Sequence, residues 1–255
     1  MTVSLENQVA VITGGSRGIG AATVRLFARA GARVVFSYHV AARAAHNLAR
    51  DCAGARASVW AMRADVAKGR DAARLVSTAL RRFGRLDVLV ANAGIWNADP
   101  LPVQEMTERQ WDEMMEVNAR GVFNAIHYAV PAMVRQKSGR IIVVSSTAGQ
   151  RGEAFHSHYG ASKGALISLV KSLATELAPQ GVLVNSVAPG WVDTEMCLPV
   201  TRNPREIERV TGGIPLGRFA RPEEIALPIL FLASEMASYI TGEVLNVNGG
   251  SVLCG

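Results

Sequence analysis

The sequence predicts an α/β fold organised around a doubly wound parallel sheet, and three observations carry that expectation. Short β-branched runs alternate repeatedly with longer helical patterns. Several of the runs are apolar on both faces, as parallel strands covered by helices on either side must be. A glycine-rich turn also lies between the first strand and the first helix, at the strand end where such sheets bind ligands.

The first strand is "VAVIT" (9–13), whose β-branched residues favour extended backbone. A helical stretch from Gly18 to about Ala30 leads into "RVVFSY" (33–38). A helix around 41–51, the strand "SVWAMRAD" (58–65) and a helix around 70–83 precede "DVLVAN" (87–92). One long helical region is expected over roughly 107–136, followed by "RIIVVSS" (140–146). The next helix passes through Tyr159 to about Leu177 and gives way to "VLVNSVAP" (182–189). After an irregular stretch, a helix at about 222–234 and the strand "EVLNVN" (243–248) complete the series.

Composition narrows the classes. With 49% hydrophobic and 19% charged residues, the 255-residue chain can bury a large core. No apolar run approaches the roughly 18–20 residues of a membrane span. The start, "MTVSLENQVAVITGG", lacks a basic-then-apolar signal pattern, so a cytoplasmic location is expected. Cys52, Cys197 and Cys254 are odd in number and far apart, which suits reduced thiols rather than a disulfide framework. The 5 histidines match no zinc spacing, and no metal is expected. The net charge of +6 is dispersed along the chain and reads as a solvated arginine-rich surface rather than a nucleic-acid or membrane contact. With no repeat and no linker, residues 1–255 are expected to form one domain.

Two motifs carry chemistry. In "TGGSRGIG" (13–20), Gly14, Gly18 and Gly20 permit a tight turn and a close backbone approach, with Ser16, Arg17 and Ile19 between them. The following helix start would offer free amides and a positive dipole end to a pyrophosphate. In "SHYGASKG" (157–164), Tyr159 and Lys163 stand one helical turn apart on one face. A free tyrosine titrates near pH 10, and a neighbouring ammonium stabilises its phenolate. Asn118, in "MMEVNARGVF", disfavours a helix interior and marks a kink or a special role.

Together with Asp65 in "RADV", "NAG" (92–94), Ser146 and "PGWVDT" (189–194), these motifs make the chain resemble the short-chain dehydrogenase/reductases, closest in look to 3-oxoacyl-acyl-carrier-protein reductases. The likeness runs over nearly the whole length, and the gap of 13 residues between Ser146 and Tyr159 fits it. It implies a single Rossmann-type sheet of about seven strands in the order 3-2-1-4-5-6-7. It also implies that Tyr159 passes a proton to or from the substrate oxygen, Ser146 hydrogen-bonds that oxygen, and Asn118 organises a water-mediated path to Lys163. Lys163 would also hold the nicotinamide ribose. Asp65 and Val66 would face the adenine, and Asn92, Ala93 and Gly94 would wall the cofactor. Pro189, Gly190, Val192 and Thr194 would close over the carboxamide. A homotetramer is implied as well, pairing the helices at about 107–136 and 157–177, with the "SVLCG" tail at another contact.

Cofactor choice rests on the end of the second strand. NAD enzymes usually carry an acid there; here Tyr38 and His39 occupy it, and no Asp or Glu occurs from 32 to 50. Arg17 supplies a cation, with Arg43 nearby, so NADP(H) is favoured over NAD(H). The substrate is a small-molecule carbonyl, and an acyl carrier protein is a candidate partner. Gln180 stands where many such reductases carry an arginine to grip that carrier, although Arg135 and Lys137 are close. Trp96, Phe155, His156 and Trp191 are expected to line the pocket with Ser146 and Tyr159, which would suit a bulky apolar ketone. Residues 191–213 fall where the family has its substrate lid, its variable part being 195–213. A non-catalytic dinucleotide sensor is the reading from another class, and the joint presence of Ser146, Tyr159 and Lys163 argues against it.

Overall fold

The computed structural model describes residues 3–54 and 58–254; Met1, Thr2 and the last residue of the "SVLCG" tail lie outside them. The strands are β1 (Val9–Ile12), β2 (Arg33–Tyr38), β3 (Val59–Arg63), β4 (Val88–Ala91), β5 (Gly139–Val144), β6 (Val182–Pro189) and β7 (Val244–Val247). All pair in parallel in the order β3-β2-β1-β4-β5-β6-β7, the order expected.

Two-sided burial follows from strand alternation. Ala10, Ile12, Val34, Phe36, Val88, Val90, Ile142 and Val144 face one core, against α1 (Gly18–Arg29), α2 (Ala42–Cys52) and α10 (Pro222–Ala233). Val9, Val11, Val35, Leu89, Ala91, Ile141 and Val143 face the other, against α3 (Gly69–Phe83), α5 (Gly121–Gln136) and α7 (Ser157–Leu177). Full burial of a side chain such as Phe27 or Leu166 contributes about 2 kcal/mol, so the two layers fix the sheet between them.

Three departures from the sequence reading shape the ligand end of the sheet. The long helix expected over 107–136 is α4 (Glu108–Met115), capped by a reciprocal Thr107–Gln110 box, then a π-helical turn (Glu116–Arg120), then α5. Asn118 sits in that π turn, a rare geometry that recurs at functional sites. The fifth strand ends at Val144, because Ser146 caps the five-residue α6 (Thr147–Arg151), accepting from the Ala148 amide at 3.1 Å. The irregular stretch after β6 holds α8 (Leu198–Thr201) and α9 (Pro204–Thr211).

Candidate active site

At the carboxyl ends of the strands lies a cleft of about 560 Å³. Its floor is the glycine turn. Gly14 has φ +67°, and a Cβ at Gly20 would strike the Gly14 carbonyl. The turn is pinned from the side by Asn92, whose Nδ2 donates to the Thr13 and Gly14 carbonyls at 3.0 and 3.1 Å. Thr13 Oγ1 in return accepts the Asn92 and Ala93 amides, each at 3.0 Å. Arg17 stands at the start of α1 without a side-chain cap, so the first amides of that helix open into the cleft. Those amides, and a floor that any Cβ would fill, suit the pyrophosphate of a dinucleotide.

Every residue expected to hold the cofactor lines this cleft. Gly14, Ser16, Arg17, Gly18, Ile19 and Gly20 come from the turn, and Tyr38 and His39 from the end of β2. Asp65 and Val66 follow β3, and Asn92, Ala93 and Gly94 follow β4. Pro189, Gly190, Val192 and Thr194 follow β6. Asp65 is itself fixed: its Oδ1 accepts the Ala67 amide at 3.2 Å, and its other oxygen pairs with Lys68 at 3.3 Å.

Ser146, Tyr159 and Lys163 meet at the inner end. Lys163 is buried, donates to the Val144 carbonyl at 2.9 Å, and lies 5.9 Å from the centre of the Tyr159 ring. Its ammonium is pushed down to about 8 by burial. The Tyr159 phenol is pushed up to about 12, chiefly by burial, with Glu153 and Cys197 adding to the rise and a hydrogen bond from Ser146 opposing it. The lowering expected of Lys163 is an expectation for the site with an oxidised nicotinamide beside the pair. In the chain alone, desolvation of the phenolate dominates, and the ammonium is engaged by a backbone carbonyl.

Asn118 does not line the cleft; it braces it from behind. Its Oδ1 accepts the Ile95 amide at 2.8 Å, and its Nδ2 donates to the Ile95 carbonyl at 3.0 Å and to Ser162 Oγ at 3.1 Å. A single Oδ1 lone pair is left over. A Cβ on Gly94 would sit 3.1 Å from that oxygen and 3.4 Å from Lys163 Nζ, so any larger residue would have to displace one of these two side chains by a few tenths of an ångström. The side chain is therefore first an anchor for the loop after β4. Asn118→Ala strands the Ile95 amide and carbonyl, a cost of about 3 kcal/mol, or roughly 6–12 °C in Tm. A melting scan showing a shift under about 2 °C would mean that the anchor is dispensable.

The comparisons with known proteins decide the family. The family model described as enoyl-(acyl carrier protein) reductase matches residues 14–251. A Thermotoga maritima 3-oxoacyl-(acyl-carrier-protein) reductase FabG is 40% identical, over 98% of this chain and 99% of that protein. A Synechocystis acetoacetyl-CoA reductase is 39% identical over 98% of each. Among solved structures, a Brucella melitensis short-chain dehydrogenase/reductase, described as a glucose/ribitol dehydrogenase, superposes with a TM-score of 0.90 at 34% identity, covering 100% of both chains.

The chain belongs to the short-chain dehydrogenase/reductase family. It is an oxidoreductase that moves hydride between a nicotinamide cofactor and a carbonyl or secondary alcohol.

In this short-chain dehydrogenase/reductase the wall beyond Tyr159 is aromatic. Trp96 meets Trp191 edge to face at 5.7 Å, and Trp191 meets Phe219 at 6.0 Å. Val200, Val210 and Ile214 pack on the same three rings, so Trp96 and Trp191 line the cleft and also seat the segment expected to be the lid. Two expectations need correction. Phe155 is 58% exposed and lies outside the cleft, because its φ of +62° and the Leu101 amide on its carbonyl turn its ring outward. His156 stacks on Trp96 at 5.3 Å but does not line the cleft.

Sequence reasoning missed several cleft residues: Glu113, Glu116, Arg151, Glu153, Met196 and Cys197. The signal for Glu153 is its place inside the segment joining Ser146 to Tyr159, both ends of which line the cleft. Burial raises the pKa of both Glu153 and the Cys197 thiol.

Proposed function

We propose that this chain is an NADPH-dependent reductase of 3-oxoacyl thioesters. The observation that carries the reading is the meeting of Ser146, Tyr159 and Lys163 across the cleft from an uncapped glycine turn. Two relatives with near-complete overlap are described as acting on 3-oxoacyl thioesters, one on a carrier protein and one on coenzyme A.

When bound, the reduced nicotinamide supplies the hydride. Tyr159 holds the proton for the carbonyl oxygen, and a phenol pushed up to about 12 stays protonated at neutral pH. Ser146 donates to the same oxygen, where negative charge develops. Lys163 places a positive charge within reach of the phenolate left behind, and Gly94 keeps that wall thin. Residues 191–213 act as the lid, with α8 and α9 closing on the aromatic wall.

Preference for NADP(H) has three supports. Tyr38 ends β2 where a carboxylate would repel a 2′-phosphate, and its hydroxyl is engaged with His46 Nε2 at 3.2 Å. Arg17 is exposed at the cleft, and its guanidinium makes no hydrogen bond or ion pair among the described residues. α2 begins at Ala42 without a side-chain cap, with Arg43 in its first turn and His39 beside it. For a carrier protein, the acidic-partner surface we infer is Lys137, which abuts the turn holding Gln180, with Arg135 in the last turn of α5: a Cβ on Gly181 would strike the Lys137 carbonyl. The assembly we propose is a homotetramer, supported by exposed Trp111, Phe123 and Tyr128 on α4 and α5. No helix among the described residues is long and apolar enough to cross a membrane, which is compatible with a cytoplasmic enzyme.

The Trp96–Trp191–Phe219 wall favours a second reading, a carbonyl reductase for bulky apolar ketones. One assay separates the two: NADPH or NADH consumption with acetoacetyl-coenzyme A and with a bulky aryl ketone. The first reading expects thioester turnover at least about tenfold above the ketone and about tenfold faster with NADPH than with NADH. Brisk ketone reduction beside poor thioester turnover would overturn it in favour of the second.

A further inference from the structure

We infer that Ser162 is a positioning residue for the reaction: its hydroxyl fixes the helical turn that carries Tyr159 and Lys163, and so sets the separation between the proton donor and the charge behind it. This rests on the reading of Tyr159 as proton donor given above and adds to it a residue that does not itself line the cleft.

Ser162 lies in the second turn of α7, fully buried, one residue before Lys163. Its Oγ donates to the Tyr159 carbonyl at 2.8 Å and accepts from Asn118 Nδ2 at 3.1 Å. In an α-helix the carbonyl of residue 159 accepts the amide of residue 163, so one backbone hydrogen bond joins the two residues of the reacting centre. Ser162 brings a second donor to that same carbonyl, which spends both of its lone pairs. Back-bonding of this kind bends a helix locally. Two elements hold the turn. α6 presses on it directly: a Cβ on Gly149 would stand 2.6 Å from the Lys163 carbonyl carbon and 2.8 Å from the Gly164 nitrogen. The π turn reaches it through the hydrogen bond from Asn118 to Ser162.

The hydroxyl is not needed to satisfy its partners. Without it the Tyr159 carbonyl keeps the amide of residue 163, and Asn118 Nδ2 keeps the Ile95 carbonyl at 3.0 Å, with Met114 Sδ at 3.1 Å. What is lost is the constraint on the turn. Tyr159 faces Lys163 from its own helix, Ser146 from the cap of α6, Glu153 from the segment after α6 and Cys197 from the segment after β6. All four are retained when the Ser162 hydroxyl is removed, so what changes at the phenol is its separation from the Lys163 ammonium. Stabilisation of the phenolate falls with that separation. Alcohol oxidation, which needs the phenolate, then moves to higher pH.

The test follows steady-state kinetics of the wild type, Ser162→Ala and Ser162→Cys across pH, with acetoacetyl-coenzyme A and NADPH in one direction and 3-hydroxybutyryl-coenzyme A and NADP in the other. Ser162→Ala is expected to lose about tenfold in kcat with each KM within about twofold of the wild type, and the midpoint of its oxidation profile should rise by about half a pH unit or more. Ser162→Cys keeps the volume with a weaker donor and should fall between the two. If Ser162→Ala does not fold, the cysteine variant decides by the same midpoint. A serine with a merely structural role lowers the melting temperature or the active fraction and leaves the midpoint where it is. An unmoved midpoint therefore overturns the inference while the reductase reading stands. If the wild type does not turn over the thioester pair, that substrate reading fails instead, and a bulky aryl ketone with its alcohol carries the same comparison. Should neither pair react, amide hydrogen exchange decides the positioning role. Residues 159–163 should then exchange at least about tenfold faster in Ser162→Ala, with residues 170–177 unchanged. Exchange at the wild-type rate over 159–163 overturns it.

Discussion

Tyr159→Phe is expected to fold, to bind the nicotinamide cofactor within about threefold of the wild type, and to lose about 10³-fold in kcat for carbonyl reduction. The variant removes a single oxygen from a half-buried ring whose packing is unchanged. At the inner end of the cleft, Ser146 can donate a hydrogen bond to the substrate oxygen, but a serine hydroxyl does not give up its proton. Lys163 spends one of its three N–H donors on the Val144 carbonyl, at 2.9 Å, and its nitrogen lies 5.9 Å from the centre of the Tyr159 ring. Tyr159 is the residue we propose to deliver the proton. The direction of its pKa also fixes the pH dependence. Held up at about 12 in the chain alone, the phenol is ready to donate throughout the neutral range, and reduction should be flat there. Alcohol oxidation needs the phenolate, so its rate should climb as pH rises. Bringing the group from about 12 to near 7 would take about 7 kcal/mol, more than one ion pair in water supplies. Steady-state rates beside a fluorescence titration of NADPH decide the matter; a loss of kcat under about tenfold would remove Tyr159 from the chemistry.

Strands and cofactor turn were legible because their signals are local. β2 and β6 have the bounds expected, since unbroken runs such as "RVVFSY" and "VLVNSVAP" must be covered on both faces. Glycines at 14 and 20 could be placed from spacing alone, because the turn admits no side chain there. α6 escaped notice for an equally physical reason: five residues are too few to display a helical period, and Ser146 looked like a strand end. The π turn was half visible. Asn118 announced an irregularity, but only the fold shows that its amide is spent on Ile95.

Glu153 and Phe155 mark the limit of such reading. An acid flanked by small residues reads as a solvated loop, and a phenylalanine four residues before Tyr159 reads as pocket lining. Their places are exchanged by two positive φ angles, at Gly152 and Phe155, which turn the acid toward the cleft and the ring away from it. The Tyr159–Lys163 spacing likewise fixed which groups are neighbours but not how dry they are. Dryness sets the sign of both pKa shifts.

Lys163→Met is expected to cut kcat by about 10² or more while leaving the fold more stable than the parent near neutral pH. Lys163 is only 4% exposed, and burial alone lowers its pKa from 10.5 to about 8. Keeping the ammonium in that place therefore costs roughly 3 kcal/mol at pH 7.5. Methionine has similar reach, fills the same channel between α7 and β5, and needs no hydration. Between pH 8 and 10.5 the unfolded chain holds this proton and the folded chain releases it, so wild-type stability rises with pH through that window. It is correspondingly lost as pH falls through about 8. The variant lacks that rise. Its advantage in urea unfolding should shrink from about 3 kcal/mol at pH 7.5 to about 1 kcal/mol at pH 10. A variant less stable than the wild type at pH 7.5 would make Lys163 a structural donor to Val144. The expected result instead makes it a charge held in an unfavourable place because the phenolate of Tyr159 requires it.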